Sequence, residues 1–255
     1  MKFNTLKVSA ILLALVFSVG YNYDSDLTDA REIIKKASDN RFGKTSFGIM
    51  KMKIIRPKWS RTLEMKNWSK GEDYSLVLIT APAKEKGQVF LKRKNEMWNY
   101  IPKISRMIKL PPSMMSQGWM GSDYSNDDII NQNSLLDNYD HKIAGSEKSG
   151  GKDCYKIESV PKKDADIVWG KKISWISKDD FFMMKSESYD EDGFLVRTET
   201  ASDIKTFGTK KLPSKYTIVP ADEEGYKTVF EIVTIKFDIK LDDSFFSQAN
   251  MKRVK

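Results

Sequence analysis

The chain has 255 residues but only one cysteine, Cys154, and one histidine, His141. A single cysteine excludes an internal disulfide, so the core alone must hold the fold. Its context, DCYKIES, reads as strand, which makes Cys154 a small buried hydrophobe rather than a reactive thiol. A lone histidine with no second histidine or cysteine beside it excludes the usual zinc donor sets. Any Ser-His-Asp or Cys-His arrangement has to use His141, which reads as an exposed strand position in YDHKI. Gly-x-Ser-x-Gly, His-Glu-x-x-His and phosphate-loop patterns are all absent. The acidic run of Asp123, Asp127 and Asp128 lacks the alternate carboxylates and closing glutamate of a calcium loop, and is expected to cap a helix and face solvent. The formal net charge of +8 is spread along the chain rather than gathered in a stripe, which argues against nucleic acid as partner. A basic surface of this kind favours approach to an anionic membrane or an acidic partner.

What the chain does have begins with an export signal. Lys2 and Lys7 precede an apolar run from Val8 to Val19, too short and wrongly flanked for a spanning helix. Ser18-Val19-Gly20 supplies a small-residue cleavage site, so residues 1–20 are expected to be removed and the mature chain to start near Tyr21. Leu27, Ala30, Ile33, Ile34 and Ala37 then repeat at three- and four-residue spacing, predicting a helix over Leu27 to Ser38 capped by Asp26 or Thr28. From Thr45 the period changes to two, with Met50, Met52 and Ile54 alternating with Lys51 and Lys53. About twelve strands follow at close intervals, separated by polar turns such as Asp192-Gly193 and Glu224-Gly225, which predicts a meandering antiparallel sheet in one domain over 21–255. Short strands charged on one face, and others apolar on both, do not fit the regular dyad of a membrane barrel.

The longest break in the strand pattern is Ser113 to Asn131, SMMSQGWMGSDYSNDDIIN. It opens after Pro111-Pro112 and carries Met114, Met115, Trp119 and Met120, with a short helix expected over Asp127 to Asn131 capped by Ser125 or Asn126. Long connections rich in apolar side chains serve as lids or binding loops, and methionine suits shape-tolerant apolar contact. A strongly curved sheet under such a lid leaves an apolar cavity. Its candidate lining is Met52, Ile54, Leu76, Leu78, Phe90, Trp98, Tyr100 and Trp175 on strands, with Met114, Met115, Trp119 and Met120 as the gate. The bland alternative is that all of these simply fill the core, and a one-residue register slip would turn each strand residue to the other face.

The stretch from Thr80 to Ile129 resembles the outer-membrane lipoprotein-sorting proteins, relatives of the periplasmic lipoprotein carrier LolA. The resemblance rests on Pro82, Lys86-Gly87, the spacing of Trp98, Tyr100 and Pro102, and above all Met120-Gly121-Ser122-Asp123 followed by Asp127-Asp128. Asp192-Gly193, Pro213, Lys227-Thr228 and Asp243-x-Phe245-Phe246 extend it over the chain after residue 20. The resemblance does not assign the cargo-contacting arginine of the true carriers to a particular residue here. The resemblance implies a mainly β, α+β fold, a curved antiparallel sheet forming a half-open barrel, with helices and a loop lid on its concave face. It also implies a non-enzymatic periplasmic carrier, without cofactor or metal, for acylated lipoproteins or another lipid. Such a carrier takes cargo from an inner-membrane transporter and gives it to an outer-membrane acceptor. The alternatives are a lipid-sensing regulatory module on the same fold and an enzyme acting on envelope lipids through Asp or Glu alone.

Overall fold

The computed structural model describes residues 29–71, 73–94, 96–130, 135–165 and 167–255. The export signal, its cleavage point and the residues Leu27, Thr28 and Asn131 lie outside the described residues. The first helix, α1, spans Ala30–Phe42. It starts later than the spacing predicts because Asp29 is its cap, accepting the Arg31 amide at 3.1 Å. It also runs past Ser38, since the Asn40 side chain donates to the Asp180 carbonyl at 2.8 Å and so stays with the helix. Ala30, Ile33, Ile34 and Ala37 are all buried, packed on Ile157 and Ile176 of the sheet.

Thirteen strands make one antiparallel sheet among the described residues. They are β1 Thr45–Arg56, β2 Trp59–Lys70, β3 Tyr74–Ala81, β4 Val89–Arg93, β5 Glu96–Ile101, β6 Arg106–Lys109, β7 Tyr139–Ser149, β8 Lys152–Pro161, β9 Lys171–Ser177, β10 Met183–Tyr189, β11 Leu195–Phe207, β12 Lys210–Pro220 and β13 Lys227–Phe237. Each falls on a stretch that the alternation marks as strand. β1 to β6 form one meander and β7 to β13 another, and the two join where β1 pairs with β13. The outer strands of the sheet are therefore β6 and β7, which follow one another in the chain and do not pair. The sheet is a half-open barrel, and residues 110–138 connect its two free edges. This connection holds 3₁₀ turns at Pro112–Met114 and Trp119–Gly121, then α2 (Asn126–Ile130) and α3 (Leu135–Asn138). Among the described residues no helix is long and apolar enough to cross a membrane.

The two faces of the sheet carry separate apolar clusters, as period-two alternation requires. On the inner face Met50, Met52, Ile54, Leu63, Met65, Val77, Ile79, Phe90 and Met97 meet Leu212, Tyr216, Ile232 and Ile235, with Trp119 seated among them. On the outer face of β3 to β5, Leu76, Leu78, Val89 and Leu91 pack against Phe246 and Met251 from the C-terminal segment, which ends in α4 (Gln248–Met251). Trp98 and Tyr100 join that outer cluster. On β9 the outward Trp175 packs with Cys154, Phe182 and Met184, between the ammonium groups of Lys185 and Lys156. Cys154 is a buried free thiol, in line with its strand context.

Candidate functional site

The lid is fastened rather than loose. Gly118 has to be glycine, because a Cβ there would lie 2.6 Å from the Ser122 carbonyl oxygen. Met120 and Gly121 then take left-handed φ values of 53° and 74°, which reverses the chain and turns two carbonyls toward the sheet. Arg61 of β2 donates to the Met120 carbonyl, and Arg56 of β1 donates to the Gly121 carbonyl at 2.9 Å. The Asp123 carboxylate receives Arg56 at 3.0 Å and the Thr228 hydroxyl at 2.6 Å. The Asp123 amide in turn donates to Thr228 Oγ1 at 3.0 Å. Ser122 Oγ closes the turn on the Trp119 carbonyl at 2.7 Å. Met-Gly-Ser-Asp is thus a fastener that ties the lid to β1, β2 and β13.

A second fastener lies five residues on. Arg197 of β11 grips both oxygens of Asp128 at 2.6 Å, and also donates to the Asp123 carbonyl at 2.8 Å. Ser125 donates to Asp128 through its amide and hydroxyl, both at 2.7 Å, and accepts the Asp128 amide, so the pair caps α2. Trp169 Nε1 adds a bond to Asp128 at 3.1 Å. The side chains of Arg197 and Asp128 are only 8% and 5% exposed. Burial alone would raise the Asp128 carboxyl, but Arg197 and Lys172 outweigh it and hold that group well below the usual carboxylate range. The expectation of a solvated acidic face is therefore corrected: Asp128 does help cap a helix, but Asp123, Asp127 and Asp128 are largely removed from water, and arginines from facing strands reach Asp123 and Asp128. His141 is likewise half-buried rather than exposed, its Nδ1 sharing a hydrogen bond with Ser159 Oγ at 2.8 Å.

Beneath the lid and α1 lie two adjoining cavities of about 100 Å³ and 90 Å³. Arg41, Tyr124 and Tyr216 line both and so form the partition. The Arg41 guanidinium stacks 4.3 Å above the Tyr216 ring and faces Glu199 at 3.5 Å, while the Tyr124 hydroxyl donates to Glu199 at 3.2 Å. The larger cavity is roofed by α1 and α3 and floored by β9 to β12; the smaller is walled by β1 to β3, β13 and Trp119.

Comparison with solved structures places this arrangement. The chain is similar to a DUF1329 family protein from Desulfovibrio piger, with 26% identity and a TM-score of 0.80 over 87% of this chain and 97% of that one. It is similar to a LolA superfamily protein from Nitrosomonas europaea, with 25% identity and a TM-score of 0.75 over 87% and 98%. A domain assigned as an outer membrane lipoprotein-sorting protein from Vibrio parahaemolyticus has the same fold, with 22% identity and a TM-score of 0.77 over 88% and 98%. The chain belongs to a LolA-like family. A family model described only as an uncharacterized protein matches residues 71–253, and no curated protein matches the chain.

In this LolA-like chain the twelve candidate lining residues divide among different places. Met52, Ile54, Phe90 and Trp119 belong to the inner cluster, with Met115 and Met120 packed against it. Met114 is half-buried in the first lid turn, where its carbonyl accepts Asn126 Nδ2. Leu76, Leu78, Trp98 and Tyr100 face outward under the C-terminal segment, and Trp175 faces outward on β9. Of the twelve, Trp119 alone lines either of these two cavities. Sequence reasoning missed Arg41, Arg56, Lys172, Arg197 and Thr228. For Arg56, Lys172 and Arg197 the usable signal was a charged residue within a strand, since a buried charge demands a partner; the register that would pair them was not readable, and nothing comparable marked Arg41 on α1 or Thr228.

Proposed function

We propose that the protein is a periplasmic carrier that shelters acyl chains of lipoproteins or another lipid and passes them to the outer membrane, with residues 1–20 as its cleaved signal. The observation that carries this reading is a pair of cavities, walled by apolar side chains with polar groups among them, beneath a lid that bridges the two free edges of a half-open sheet. Exposure of an acyl chain to water costs about 0.8 kcal/mol per CH₂, so a triacylated cargo faces roughly 30–40 kcal/mol. Such cargo needs a dry container more than tight polar recognition. In our reading the donor is an inner-membrane transporter, the acceptor lies in the outer membrane, and no catalytic step is involved.

Cavities near 100 Å³ are smaller than pockets for drug-sized ligands, at about 300–1,000 Å³, so loading requires a wall to move. Residues 118–128 are held by buried ion pairs, whereas α1 packs through Ala30, Ile33, Ile34 and Ala37 and is tied by exposed or half-buried contacts such as Arg31–Asp137 at 2.7 Å. We therefore assign the opening motion to α1, with Trp119 as part of the fixed apolar wall and Met115 and Met120 packed on the inner cluster beside it. Native mass spectrometry of the gently purified protein, followed by lipid extraction, tests the carrier reading. A co-purified acyl lipid or lipoprotein supports it. A clean apo mass with no uptake of a fluorescent fatty-acid probe overturns it in favour of a protein-interaction module.

A further inference from the structure

The floor of the larger cavity carries an ordered polar patch. Lys172 and Ser174 on β9 lie opposite Ser188 and Ser186 on β10, and these lie opposite Arg197 and Glu199 on β11. All six line the cavity. The smaller cavity also has inward polar residues, but there Ser46 bonds to Ser69 at 2.7 Å and Ser75 to Asn67 at 3.1 Å, so these satisfy one another. Two of the charges are already satisfied. Arg197 is committed to Asp128, and Glu199 is held by Arg41 and Tyr124. Asp127, the third carboxylate on this wall, has contacts of its own.

Lys172 and Ser174 are different. The Lys172 amine reaches Asp128 Oδ1 only at 3.9 Å, and that oxygen is already bound by Arg197 and Trp169. Ser174 is 1% exposed, and its hydroxyl has no hydrogen-bond partner. A buried hydroxyl left unpaired is unfavourable, and an oxygen atom supplied by a ligand would satisfy it. Over this patch stand Ile34, Leu135 and Leu136, and Phe181 and Leu212 also line the cavity, giving walls for hydrocarbon. Apolar walls with a few convergent polar groups are how small-molecule sites fix orientation.

We infer that Lys172 and Ser174 form a headgroup subsite for an anionic oxygen, carboxylate or phosphate, borne on a single alkyl chain. This rests on the carrier reading of the same cavity and narrows it. The lysine supplies a point charge, and the serine supplies a donor two residues along the same face of the strand. Burial lowers the Lys172 amine below its ordinary value against the opposing pull of Asp128, and an arriving anion stabilises its charged form.

The test is binding of laurate, dodecyl phosphate and dodecanol to the wild-type protein, Lys172→Met and Ser174→Ala, read by displacement of a fluorescent diacyl probe. Wild type is expected to bind laurate at least tenfold more tightly than dodecanol, and the tighter of laurate and dodecyl phosphate identifies the source of the anion. In Lys172→Met that ratio falls to near one. In Ser174→Ala laurate weakens by about threefold while the melting temperature holds, because no existing bond is removed. Circular dichroism confirms that both variants fold. Equal affinity of wild type for laurate and dodecanol, with the diacyl probe bound, overturns the subsite and leaves the carrier standing. Selectivity that survives both substitutions overturns the assignment to these two residues. Failure to bind any chain, the diacyl probe included, overturns both readings.

Discussion

Replacing Asp128 by asparagine probes the buried lock of the lid. The substitution keeps the shape of the side chain and removes its charge. Arg197, with 8% of its side chain exposed, is then left without a carboxylate and beside the Lys172 amine. Breaking a buried pair from one side costs about 3–5 kcal/mol, and at about 2–4 °C per kcal/mol for a domain this size the melting temperature falls by roughly 6–20 °C. The loss concentrates in the lid, so amide exchange over 118–130 rises more than exchange in β1 or β13. The effect has a definite pH dependence. The Asp128 carboxyl sits below its unfolded value of about 4, so the pair stabilises the fold above that pH and the stabilisation drains away as pH drops further. The difference between wild type and variant therefore narrows on acidification below about pH 4. Calorimetry across pH 3–7 is the assay. A fall of under about 2 °C at pH 7, with unchanged lid exchange, would refute the argument that this pair holds the lid.

Other outcomes follow from the same geometry. Gly118→Ala forces a Cβ to within 2.6 Å of a backbone oxygen and should destabilise by about 1–3 kcal/mol in urea unfolding, the range for overpacked sites. Phe246→Ala empties the outer cluster, where the ring is fully buried, and should cost about 3–5 kcal/mol while leaving the affinity for acyl probes intact, because Phe246 lines neither cavity. Proton NMR of the single histidine should give a midpoint below 6.5, since burial outweighs the backbone contacts at His141. Its protonation then erodes stability as pH falls through and below that ordinary value. A midpoint above 6.5 would contradict the half-buried placement.

The course of the sheet was readable because β-strand alternation is local. Met50, Met52 and Ile54 mark β1 without help from any neighbour, and Asp192-Gly193 turns β10 into β11 as its composition requires. The capped stripe of α1 was legible for the same reason, although the choice of Asp29 over its neighbours depended on which carboxylate reached a first-turn amide. What could not be read was face and partner. Leu76 and Val77 are equally good strand residues, yet one lies under Phe246 and the other on the cavity wall. Asp128 sits in a run that looks fit for solvent until Arg197 arrives from a strand far along the chain. Face assignment needs the C-terminal cover, and pairing needs the fold; neither is encoded in spacing alone.

The union of β1 with β13 sets the order in which the molecule can be assembled. The hairpins within each meander form from contacts close in sequence, but the seam at the middle of the sheet brings the first strand to the last. Seams of that kind come late and slowly, because loop closure over most of the chain has to precede them. A nascent chain released before Lys227 would hold two sticky interior edges and no cavity. The walls of both cavities draw on strands from the two meanders or on β11 and β12, which β13 joins to β1, so the completed interior waits on one zipper.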